Sequence, residues 1–162
     1  NGAPSVYADY DKTKQTVLSL KSYIDAQPKS IQLCHIDAVP DNFLFVTGKD
    51  GSEEVKLTDW EYAGMQDPHL DVAMFIIYAM YDRDSAEKLI DLYFSDGCDK
   101  ATRLKIYCYI AVSGLVWSNW CEFKRHCGVE FGAYAQRQYD YAREYTKIFF
   151  KEYREAFGRD YV

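Results

Sequence analysis

The sequence predicts a single α+β domain over residues 1–162, predominantly helical, with one short β-hairpin in its first half. Apolar residues recur at helical spacing between Tyr10 and Ala26 and again through nearly everything beyond Pro68. Between these stretches, short apolar runs flank Gly48-Lys49-Asp50-Gly51, a turn sequence. No repeat or low-complexity segment intervenes, and a composition that is 48% hydrophobic and 17% aromatic is sufficient for one core.

The elements follow in order. Val17, Leu18, Leu20, Tyr23 and Ile24 place a helix over Tyr10 to Ala26, which Pro28 stops. Ile31 to Cys34 and Phe43 to Val46 read as strands, and the glycine turn leads back into a third at Glu54 to Leu57. Asp67-Pro68 is a helix start, with Asp as N-cap and Pro in the first position, opening an apolar helix over His69 to Met80. Further helices are expected at Ser85 to Phe94, Ala101 to Phe123 and Phe131 to Ala156, separated by Asp96-Gly97 and Cys127-Gly128.

The chemistry concentrates around the hairpin. His35-Ile36-Asp37-Ala38-Val39-Pro40-Asp41-Asn42 precedes its first strand, and Asp59-Trp60-Glu61-Tyr62 follows its second. Two aspartates and an asparagine so arranged supply what phosphoryl transfer to a hydroxyl needs, one base and two oxygen ligands for Mg²⁺. Asp37 would take or orient the proton of the attacking hydroxyl. Asn42 would offer a carbonyl oxygen to the metal, and Asp59 would bridge metal to phosphate. Pro40-Asp41 folds the loop back so that Asp37 and Asn42 reach one side. His35 reads as structural, because Asp37 already fills the role of base. Asp71 lies in the first turn of its helix, where negative charge is favoured, and reads as a brace for the loop.

His35-x-Asp37-x4-Asn42, followed by Leu57-Thr58-Asp59-Trp60-Glu61-Tyr62-Ala63-Gly64-x2-Asp67-Pro68-x2-Asp71-Val72-Ala73, resembles the choline/ethanolamine kinase family, in particular its bacterial choline kinase branch. Ile36, Ala38 and Asp41 depart from the residues usual there. The resemblance implies the C-terminal lobe of the protein-kinase-like fold shared with aminoglycoside phosphotransferases, with ATP as co-substrate and Mg²⁺ as cofactor. It also implies a missing N-terminal lobe. The residues ahead of His35 hold no glycine-rich turn followed by a Val-Ala-x-Lys-type strand, and the chain starts abruptly at Asn1-Gly2-Ala3. The expectation is a fragment inactive alone.

Trp117 and Trp120 lie three apart on a helix, a spacing that suits a packed core as well as a binding face. In choline kinases a Trp-x2-Trp on this helix, a Tyr on the last helix and residues after the metal aspartate enclose the trimethylammonium group. The resemblance therefore implies Trp117, Trp120, Tyr134 and Tyr62 around choline, with Glu61 as a nearby anion; Tyr139 and Tyr141 are alternatives to Tyr134. Aromatic faces suit a quaternary ammonium, which has no N–H to donate, and each contributes about 0.5–2 kcal/mol. Ethanolamine, an aminoglycoside-type acceptor, or a binding module without turnover stand as alternatives.

A net charge of −6 disfavours nucleic acid and suits a cationic small molecule. Five cysteines without a CxxC pair suit a reduced, cytoplasmic setting, and Cys121, His126 and Cys127 lack the second pair a zinc site needs. The run Val72 to Met80 falls well short of the ~20 residues that span a bilayer, and no leader is expected.

Overall fold

A computed structural model describes residues 4–161; the start at Asn1-Gly2-Ala3 lies outside them. Helices α1 (Tyr10–Ser19) and α2 (Lys21–Ala26) lead into strand β1 (Gln32–Cys34), a tight 3₁₀ turn at Pro40–Asn42, and strands β2 (Phe43–Thr47), β3 (Glu53–Leu57) and β4 (Gly64–Gln66). Four helices complete the chain: α3 (His69–Tyr78), α4 (Arg83–Tyr93), α5 (Lys100–His126) and α6 (Ala133–Phe157).

The single helix expected over Tyr10 to Ala26 is two. Leu20 separates them: it keeps helical dihedrals, but its N–H turns to the Val17 carbonyl three residues back at 3.1 Å. β2 and β3 pair antiparallel from Phe43 with Leu57 to Thr47 with Glu53. Gly51 closes their turn at φ +83°, a conformation open to glycine, and Asp50 Oδ1 accepts from the Ser52 N–H. β1 pairs instead with β4, from Gln32 with Gln66 to Cys34 with Gly64. That strand has no counterpart in the sequence reading, since Gly64-Met65-Gln66 offers neither β-branched residues nor alternation.

Regular helix in α3 begins at His69, but Pro68 already has helical dihedrals and Asp67 Oδ1 accepts from the His69 N–H at 3.2 Å. The cap position is thus Pro68, one residue later than the sequence pattern placed it, and it carries no side-chain cap. Asp82 and Asp99, by contrast, cap α4 and α5 with side chains that accept from the N–H of Ser85 and of Thr102, so both helices start earlier than the apolar pattern suggested. α5 and α6 form the scaffold. Their contact with α3 and α4 buries Ile76, Ile77, Ile90, Leu104, Ile110 and Phe149 completely. α1 packs separately through Val17 on Leu115, Tyr139 and Ala142. Among the described residues, no helix is long and apolar enough to cross a membrane.

Candidate functional site

The loop after β1 is held from two sides. The Asp71 carboxylate accepts from the backbone N–H of His35 and of Ile36, both at 2.8 Å. These two bonds hold Ile36 at φ +70°, a conformation a β-branched residue adopts only under constraint. His35 is buried and donates from Nε2 to the Thr58 carbonyl at 2.7 Å, while Trp60 meets its ring edge-on at 4.8 Å. One histidine therefore ties the loop to the end of the hairpin.

Asp37 and Asn42 face each other across this loop. Asn42 Nδ2 donates to the Asp37 carbonyl at 3.0 Å, which leaves the amide oxygen of Asn42 uncommitted. The Asn42 carbonyl in turn accepts from the N–H and hydroxyl of Thr58, so Asn42 and Asp59 emerge at the same end of the β2–β3 hairpin. Asp59 is exposed at φ +63°, which aspartate tolerates better than most residues, and Trp60 Nε1 fixes the turn by donating to the Leu57 carbonyl. A carboxylate and an amide oxygen are the hard oxygen donors that would suit Mg²⁺. Among the described residues no group of three or more His, Cys, Asp or Glu side chains converges as an all-protein cage.

Sequence reasoning missed the group closest to Asp37. Tyr78 donates its hydroxyl to Asp37 Oδ1 at 2.7 Å, and its ring meets Trp117 edge-on at 5.2 Å. The signal was present, since Tyr78 lies seven residues after Asp71 and hence on the same face of α3. From Trp117 an aromatic row continues: Trp120 lies nearly parallel at 5.8 Å, Phe131 follows at 5.1 Å and Tyr134 at 6.2 Å. Phe131 was also missed. Burial pushes the Tyr134 phenol well above its ordinary range, partly offset by Trp117. The Lys124 ammonium sits 5.4 Å above the Trp120 ring, so this indole already faces a cation.

Glu61 and Tyr62 lie exposed in the turn between β3 and β4. The Glu61 carboxylate raises the Tyr62 phenol, and Asp37 and Asp59 act in the same direction, which places this turn within the field of the loop. Tyr139 and Tyr141 belong elsewhere. Tyr139 stacks on Tyr7 and donates to Asp9, while Tyr141 donates to the Tyr81 carbonyl beneath α3. An apolar cleft of about 400 Å³, bounded by Phe43, Leu57, Val72, Phe75 and Tyr93, adjoins the loop through His35 and Asp71 but contains none of the aromatic row.

With this geometry in view, a family model described as choline/ethanolamine kinase matches residues 2–96. Protein LicA of Haemophilus influenzae, strain ATCC 51907, is 30% identical over 121 residues, covering 67% of this chain and 41% of that relative. The crystal structure of choline kinase LicA from Streptococcus pneumoniae has a TM-score of 0.69 at 28% identity, over 88% of this chain and 49% of the other. A structure of LicA in complex with AMP gives 0.71 at 27%, over 91% and 50%. The chain thus spans about half the length of the proteins it matches.

Proposed function

The chain belongs to the choline/ethanolamine kinase family, and on that premise we propose that it is the acceptor-holding C-terminal lobe of an enzyme that transfers the ATP γ-phosphate to choline. One observation carries this reading, the unbroken contact from Asp37 through Tyr78 to Trp117 and Trp120. It joins a base to a row of aromatic faces, as transfer to the hydroxyl of a small quaternary amino alcohol requires. Asp37 takes the proton of the attacking hydroxyl, and Asn42 and Asp59 supply oxygens to Mg²⁺, whose chemistry is to neutralise charge on the transferred phosphate. Trp117, Trp120 and Tyr134, with Tyr62 and Glu61 at the exposed turn, receive the ammonium. His35 and Asp71 hold the loop.

Residues beyond this chain supply the nucleotide-contacting lobe, a reading supported by relatives about twice its length and by a LicA structure with AMP. The aromatic row favours choline over ethanolamine, because a primary ammonium gains more from hydrogen-bond acceptors than from ring faces. ADP release by the complete protein tests the proposal. Choline is expected to support turnover with Mg²⁺, and Asp37→Asn to lower kcat by roughly 10²-fold or more with little change in the choline KM. Absence of ADP release with choline, ethanolamine or any other small alcohol would refute it.

A further inference from the structure

We propose that Tyr78 is a positioning residue that orients the Asp37 carboxylate for proton transfer while its ring sets the wall on which the acceptor rests. The inference rests on the phosphotransfer reading and deepens it. With the Tyr78 hydroxyl on Oδ1 at 2.7 Å, one oxygen of Asp37 is already occupied. Oδ2 is left to receive the acceptor's proton, so the hydroxyl fixes which oxygen acts and how the carboxylate plane is turned. In that step the acceptor O–H proton passes to Asp37 Oδ2, the acceptor oxygen bonds to the γ-phosphorus, and the bond from that phosphorus to ADP breaks. The Tyr78 proton stays on its phenol. Burial, and then the hydrogen bond to Asp37, push this phenol far above its ordinary range and keep it a donor.

The scaffold makes the placement stiff. Tyr78 lies in the last turn of α3, and Asp71 in the first turn of the same helix grips His35 and Ile36. A single rigid element therefore fixes both the backbone of the loop and the side chain of Asp37. The edge-on contact with Trp117 at 5.2 Å carries that rigidity into the aromatic row.

Steady-state kinetics of the complete protein with Tyr78→Phe and Tyr78→Leu, alongside thermal melts, test the assignment. Tyr78→Phe keeps the ring and loses the hydroxyl. It is expected to lower kcat roughly 10- to 100-fold, with the choline KM within about twofold and a melt lowered by only a few degrees. Tyr78→Leu is expected to lower kcat similarly and to raise KM as well, since the wall beside Trp117 is lost. Wild-type kcat in Tyr78→Phe would overturn the inference alone, as would losses that track the melting temperature in both variants. An inactive wild type would overturn the phosphotransfer reading and this inference together.

Discussion

The Asp67 carboxylate lies 2.6 Å from the Lys105 ammonium, with the two side chains only 4% and 2% exposed. Tyr109 donates to the same carboxylate oxygen, the Pro28 carbonyl accepts from Lys105 at 2.8 Å, and the His69 N–H reaches the other oxygen. Each charge is therefore paired and its remaining hydrogen-bonding capacity largely used, the condition under which a buried ion pair is tolerated. Burial raises the Asp67 carboxyl, but Lys105 and the His69 N–H outweigh it and hold the group below its ordinary value. A depressed carboxylate contributes stability above its unfolded value near 4 and loses it as pH falls through the lower folded value. Lys105→Met is expected to cost about 3–5 kcal/mol at neutral pH in denaturant titrations, by stranding the carboxylate. Lys105→Met with Asp67→Leu should recover much of that loss and flatten the acid limb; a single variant as stable as wild type would contradict the pairing. Nothing in the sequence marks Lys105 as buried, because its partner lies 38 positions away. Tyr78 shares a helix face with Asp71, but its bond to Asp37 spans 41 positions and shows only in the fold, whereas Asp37, Asn42 and Asp59 were singled out from their spacing.

Helices α5 and α6, packed along much of their length, come into close contact at Gly114. A Cβ at Gly114 would come within 2.7 Å of the Gln138 carbonyl and 2.8 Å of Tyr141 Cβ, one a backbone atom and the other fixed to it. Glycine here admits close helix approach, and the pair it joins presents Trp117 and Trp120 from α5 and Tyr134 from α6. In an exposed helix interior Gly→Ala stabilises by about 1 kcal/mol. Gly114→Ala is expected to do the opposite and cost about 1–3 kcal/mol by forcing the helices apart. Thermal unfolding checks the sign, and a stabilised variant would show that the helices are not in contact there. The elements legible in the sequence had local signals: apolar periodicity for α3 to α6, the glycine turn for β2–β3, Pro28 as a stop. The break at Leu20 and the pairing of β1 with β4 had none. The pairing follows from a register spanning some thirty residues, and the break is a single tighter turn in which the Leu20 N–H bonds the Val17 carbonyl.

On the scale of the molecule, the hairpin turns an apolar face outward. Phe45, 83% exposed, pairs with exposed Val55 on one face while exposed Leu44 points to the other, and Leu33 and Met65 pair exposed on β1–β4 with exposed Ile31 just ahead of β1. Apolar residues gathered on strands, and not scattered singly, form the kind of patch that marks an interaction surface. By contrast, α3, α5 and α6 form one buried base that carries Asp71 and Tyr78, which hold the loop, and the row of Trp117, Trp120 and Tyr134. The central claim is that this base presents a site for a quaternary ammonium, and tryptophan fluorescence during choline titration tests it most directly. Saturable quenching by choline, weaker with ethanolamine and lost in Trp120→Ala, is the predicted result. A choline response that survives in Trp120→Ala, or equal responses to choline and ethanolamine, would contradict an acceptor site built on the aromatic row.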